Sequence, residues 1–294
     1  MRASRVLARS RKPEFIASRR ALITPAQSPS ATKTPLILIG GTAQSVHSWP
    51  HHLHHLSMDR NVVVMEARGQ GPRQPPHPAF DGDFSNCSLT KQCADVRAFV
   101  DDLPEDLFLD NDNRFDLAGF SFGGRIALKF AAAQSSATRR VNALHITGVG
   151  QHGAYAQLML DQWRDLLHPD REPKQGLRAF AWSIITASHT RAFLRKNAKS
   201  VPLWVDWLVA NNTFEGVGQV LRQSHDDAAC LAEAVASLPC PVMFVTGAED
   251  ELVASRVAAE HSVVVERAGH AVPLEQPVAW RDSLLAFLDA STVT

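Results

Sequence analysis

The chain has 294 residues, 45% of them hydrophobic and 20% charged, with a mean hydropathy of −0.12. This excludes a wholly disordered, collagen-like or coiled-coil protein and leaves room for one large domain or two small ones. The formal net charge is zero, but residues 1–33 hold eight of the 30 Lys/Arg and only one of the 30 Asp/Glu, so the remainder is acidic by seven and argues against a nucleic-acid-binding face.

Residues 1–33 are rich in Arg, Ser and Ala and lack the apolar core of a secretory signal. That composition predicts a disordered leader or transit peptide for a chloroplast or mitochondrion, with the cytoplasm as the alternative location. It offers too little apolar surface to offset ordering entropy, so it is expected to add nothing to the fold. Pro25, Pro29 and Pro35 punctuate the approach to the first strand.

From residue 35 a short apolar run followed by a helix-length stretch recurs. The runs are Leu36–Ile39, Val62–Met65, Phe115–Ala118, Val141–Ile146, Val242–Thr246 and Val263–Val265. Continuous apolar runs suit strands buried on both faces. Helices are predicted at Ser45–Met58, Thr90–Asp102, Phe122–Ala133 and Pro277–Ala290. The fold class is therefore α/β, a mostly parallel sheet with helices on both faces. Residues 151–225 break the rhythm with Trp163, Trp182, Trp204 and Trp207 among amphipathic stretches and no convincing strand. They read as a helical cap inserted between two core segments, 34–150 and 226–294. No run approaches the roughly 18 apolar residues of a membrane span.

Chemistry concentrates at Gly119-Phe120-Ser121-Phe122-Gly123, a G-x-S-x-G between a strand and a helix. That is the context of a nucleophile elbow. A serine on a sharp turn needs neighbours without bulky Cβ atoms, and the helix behind it aims N–H groups at the reacting oxygen. A base and an orienting acid should follow in the order Ser, acid, His. Asp250 follows the run ending at Thr246, and His270 follows the last strand on a Gly-flanked loop. Glu249 and Glu251 flank Asp250, and Asp226 or Asp227 could take its place. An oxyanion hole needs two backbone donors: one is expected at Phe122, the other at Thr42, in the loop that Gly40 and Gly41 open after the first run.

Two patterns compete with this reading. Gly148-Val149-Gly150-Gln151-His152-Gly153 matches G-x-G-x-x-G after a strand, but a proline-bounded loop stands where a second strand ending in an acid should be, so no dinucleotide is expected. His47, His51 and His55 share a face at i, i+4 spacing, with only Asp59 near as a supporting carboxylate, and read as a solvated helix face. No metal and no cofactor are expected. The four cysteines form no C-x-x-C and suit a reducing compartment.

Gly40-Gly41-Thr42, Glu66-Ala67-Arg68-Gly69-Gln70-Gly71, the Ser121 elbow, Gly247-Ala248-Glu249-Asp250 and Ala268-Gly269-His270 together resemble the α/β-hydrolase superfamily over roughly residues 35–290. Within it, Gly-Phe-Ser-Phe-Gly-Gly-Arg resembles the elbow of the 2-succinyl-6-hydroxy-2,4-cyclohexadiene-1-carboxylate synthase family. Three positions depart from that family: Gly40 stands for the usual His of the oxyanion loop, Phe120 for Tyr, and Gln70 for His. The resemblance implies a serine hydrolase acting on a small ester, thioester or activated C–C substrate. The alternatives are a lyase that expels pyruvate with the same three residues and a non-catalytic binding protein. It also implies substrate contacts at Gly41 and Arg125, joined in the lyase by cap arginines such as Arg164 or Arg178. The partner is a small molecule, and the oligomeric state is left open.

Overall fold

The computed structural model describes residues 14–16, 21–28, 33–72, 84–108, 113–134, 140–223, 231–257 and 261–291. Among them, strands β1 (Glu14–Ile16), β2 (Ala21–Thr24), β3 (Leu36–Ile39), β4 (Val62–Met65), β5 (Arg114–Phe120), β6 (Arg140–Thr147), β8 (Val242–Gly247) and β10 (His261–Val265) form one sheet. The order is β1-β2-β4-β3-β5-β6-β8-β10. The β1/β2 and β2/β4 pairs are antiparallel and the remaining pairs parallel. A separate two-stranded ribbon joins β7 (Gly150–Gln151) to β9 (Ser255–Arg256).

Side chains alternate across the sheet, and both faces are apolar. Ile37, Ile39, Val63 and Met65 meet one helical layer while Leu36, Leu38, Val62 and Val64 meet the other. Helix α1 (Pro50–Leu56) packs on the second face with α11 (Pro277–Ala290), and α2 (Leu89–Asp102), α3 (Phe122–Ala132) and α9 (Leu231–Ala236) cover the first. All six predicted strands and all four predicted helices are present. The first helix is shorter than expected, because a 3-10 turn at Val46–Ser48 precedes it.

The cap is helical. It comprises α4 (Ala154–Leu166), α5 (Pro173–Ser188), α6 (Arg191–Lys196), α7 (Val201–Ala210) and α8 (Phe214–Gln223). Trp163 meets Phe180 edge-on at 5.9 Å in its own small core. Ala43 and Leu252 from the sheet side join that core, which seats the cap over the strand ends. A short helix α10 (Val272–Glu275) links β10 to α11.

One expectation is corrected. The leader does not run to residue 33, because β1 and β2 lie within it and extend the sheet beyond β4. Ala21, Leu22, Ile23 and Thr24 are buried. Four residues are too short a run to stand out between Arg19-Arg20 and Pro25, yet pairing with β4 removes them from water. Residues 1–13 lie outside the described residues.

Candidate active site

Register brings the site together. Ile39 pairs with Gly119 and Phe120 with Thr147, so β3, β5 and β6 end at one edge; β8 and β10 end beside them at Gly247 and Val265. The loops after these strands carry the candidate residues, at the carboxyl edge where sites of open α/β sheets form.

Ser121 sits between β5 and α3 at φ 52°, ψ −117°, a strained backbone for a residue with a Cβ. The elbow glycines make that turn possible: a Cβ on Gly119 would press on the Gly123 carbonyl and the Gly124 Cα, and one on Gly123 would overlap the carbonyl oxygens of Ile39 and Gly40.

The Ser121 Oγ lies 2.8 Å from His270 Nε2, and His270 Nδ1 lies 2.9 Å from Asp250 Oδ2. A carboxylate only accepts, so Nδ1 carries the proton and Nε2 offers its lone pair to the serine hydroxyl. Burial alone pushes the Asp250 carboxyl up, but facing His270, with amide bonds from Leu252 and Val253, outweighs this and leaves it below its usual range. Asp250 is thus ionised and set to stabilise an imidazolium. Asp226 and Asp227 lie outside the described residues.

Thr42 and Phe122 both line the cavity at Ser121. Phe122 is the first residue of α3, where amides have no intrahelical acceptor. The Gly41 amide donates to Gln44 Oε1 at 2.8 Å, and a Cβ there would crowd Phe120 and the Ser121 Cβ at 3.0–3.2 Å. Gly41 lets the loop lie against Ser121. The loop is then held from two sides. Ala43, at φ 61°, donates its amide to Gln70 Oε1 at 2.5 Å, and its carbonyl accepts from Asn212 Nδ2 of the cap at 2.9 Å.

The cavity holds about 480 Å³. Its walls include Trp163, Trp204, Trp207, Leu208 and Leu252 from the cap side and the β8–β9 loop, with His47 and His51 of the predicted histidine face also on its border. Among the described residues no group of three His, Cys, Asp or Glu side chains is gathered for a metal ion.

Arg125 is buried in this cavity and donates to the Gly150 carbonyl at 3.3 Å and to His152 Nε2 at 2.8 Å. Among the described residues no carboxylate pairs with it. Burial pushes its pKa down to about 10, so it stays a cation at neutral pH. His152, driven to about 4 by burial, Arg125 and His270 against the weaker pull of Asp250, is neutral and accepts from the guanidinium. Arg164 and Arg178 are corrected as substrate clamps: Arg164 donates to the Leu221 carbonyl, Arg178 pairs with Asp206 at the surface, and neither lines the cavity.

Sequence reasoning missed His152, His189, Asn212 and Glu275. His152 was visible only inside the glycine pattern weighed as a dinucleotide loop, and the other three carried no local signal. Glu275 is buried in α10 and binds the Gly269 amide next to His270 as well as Thr190 of the cap.

The sequence profile described as the alpha/beta hydrolase family matches residues 36–282. The chain belongs to the alpha/beta hydrolase family. No curated protein matches it in sequence. Among solved structures, the enol-lactonase from Burkholderia xenovorans is 17% identical, with 92% of this chain and 96% of that one covered at a TM-score of 0.70. A hydrolase from Pseudomonas aeruginosa is 21% identical over 95% and 99% of the two chains at 0.69. MenH from S. aureus is 13% identical over 93% and 99% at 0.67. At these identities the likeness is one of fold. Among the described residues no helix is long and apolar enough to cross a membrane.

Proposed function

We propose that this family member is a serine hydrolase that cleaves a small ester, thioester or activated C–C bond. The observation that carries the reading is the Ser121–His270–Asp250 chain at 2.8 and 2.9 Å, opening into a roofed cavity. Ser121 Oγ attacks the carbonyl carbon while His270 Nε2 takes its proton. Asp250 holds the imidazole and stabilises the cation that forms. The Thr42 and Phe122 amides receive the oxyanion. His270 then returns the proton to the leaving group, and water repeats the sequence on the acyl-enzyme to release the acid.

The test is a hydrolysis screen over acyl length, ester against thioester, with Ser121→Ala beside the wild type. Turnover that falls by about 10⁴-fold or more in the variant supports the reading. Turnover retained in the variant overturns it.

A second reading is favoured by one observation, the buried Arg125, which among the described residues has no carboxylate partner. In a lyase, His270 and Ser121 would remove a substrate proton and expel pyruvate while Arg125 clamps an acid group. Pyruvate release, assayed with the intermediate of the synthase family, separates the two. We place the import signal in the basic residues ahead of Glu14, since cleavage at 33 would remove β1 and β2.

A further inference from the structure

His189 caps the C-terminus of α5 and belongs to a set of nearly parallel rings. Its imidazole lies 5.2 Å from Phe193 at an interplanar angle of 13° and 6.1 Å from Trp204 at 23°; Phe193 and Trp204 lie 5.8 Å apart at 23°. All three rings line the cavity. Rings held parallel by three different helix segments match a flat π-system better than a flexible chain.

The imidazole's tautomer is fixed by its neighbour. Nδ1 is 2.8 Å from the Ile185 carbonyl, which only accepts, so Nδ1 carries the proton. Burial lowers the His189 pKa, outweighing the carbonyl bond and the charge of Glu275, so the ring is neutral near pH 7. Nε2 then holds a lone pair, and among the described residues it has no hydrogen-bond partner. An apolar group closing over it would leave a desolvated acceptor, whereas a substrate donor would satisfy it.

We infer that His189, Phe193 and Trp204 form a recognition subsite for a planar aromatic or conjugated group that carries a hydroxyl or N–H donor. Phe193 and Trp204 stack on the plane, and His189 Nε2 accepts the donor. The inference deepens the hydrolase reading and rests on it for the substrate class: an ester or thioester of a hydroxylated or N–H-bearing ring system rather than a plain alkyl ester.

The subsite is tested by binding alone, in Ser121→Ala, so that failure of the hydrolase reading leaves the result intact. Three probes of similar size are titrated by tryptophan fluorescence: 2-naphthol, 2-methoxynaphthalene and decahydro-2-naphthol. The expected result is that 2-naphthol binds about 5- to 10-fold more tightly than the methoxy ether, the scale of one hydrogen bond, and more tightly than the saturated alcohol. Adding His189→Phe should bring naphthol and its ether within twofold of each other while ether binding is kept. His189→Gln, which retains an acceptor, should recover part of the difference. Trp204→Leu should remove the preference for the aromatic over the saturated alcohol and leave the hydroxyl effect. Equal binding of naphthol and its ether to Ser121→Ala, or a preference that survives His189→Phe, overturns the inference.

Discussion

The carboxylate of Glu275 joins Thr190 of the cap to the loop of the candidate base. Its Oε2 accepts from Thr190 Oγ1 at 2.7 Å, and its Oε1 accepts from the Gly269 amide at 2.9 Å. The Ala271 amide donates to the Ser188 carbonyl at 2.9 Å beside it, so His270 is flanked on both sides by bonds to this junction.

Glu275 is therefore a positioning residue. Glu275→Gln keeps the acceptor oxygen for one partner and should lower kcat about 3- to 10-fold with little change in KM. Glu275→Ala should cost more in both kcat and stability, because buried donors are left unpaired. The pH–kcat profile is the deciding readout: a displaced imidazole shifts its acidic limb in both variants. An unchanged profile with only a lower Tm would show that Glu275 merely supports the fold.

Stability should fall in mild acid through buried histidines. His145 is fully buried on β6, and burial pushes its pKa down to about 3 against the weaker raising effect of a bond to its own backbone. Burial also drives His52 to about 4, against a raising bond to the Pro273 carbonyl. The unfolded chain binds these protons near pH 6.5, so it holds more protons than the native state below that pH. Their contribution is full above pH 6.5 and is lost as the pH falls from there toward 4 and 3, by about 1.4 kcal/mol per pH unit for each. Urea titrations between pH 7 and 5 should show His145→Leu with a shallower loss than wild type. Parallel slopes would contradict the assignment.

Arg125 should separate acidic from neutral substrates. Arg125→Lys keeps a cation but loses the bidentate fork and the geometry of the bond to His152. Esters bearing a carboxylate should lose about tenfold or more in kcat/KM, while neutral p-nitrophenyl esters lose less than threefold. Equal losses on both, with a lower Tm, would mark the residue as structural.

The amino-terminal strands should matter to stability. Removing residues 1–28 deletes the β2 ladder on β4 and exposes what Ala21, Leu22 and Ile23 now cover. Burying a Leu or Ile side chain contributes about 1.5–3 kcal/mol, so Tm should drop by more than about 5 °C. A folded truncate with unchanged Tm would show that the segment is dispensable after all.

Much of this was legible in the sequence because the signals are local. Each central strand is a continuous apolar run, and the Ser121 elbow needs its glycines two residues either side of the serine. The order of residues after the last strands points to His270 and Asp250, and the structure sets them beside Ser121. What was hidden depends on distant partners. Thr190 and Glu275 are 85 positions apart, and Asn212 reaches Ala43 across 169. β2 was masked by the basic residues around it, since four apolar residues declare a strand only when β4 is there to pair with. Arg164 and Arg178 have the charge expected of a clamp, but Arg164 is held against the Leu221 carbonyl of α8 and Arg178 lies at the surface, and charge alone does not give direction.

The intact mass of the protein after reaction with a fluorophosphonate tests the nucleophilic role of Ser121 most directly. One adduct per chain is expected, mapped to the peptide holding Ser121, absent in Ser121→Ala and slowed by about 10³-fold or more in His270→Ala. A folded wild-type protein that takes no adduct, or an adduct that persists in Ser121→Ala, would contradict it.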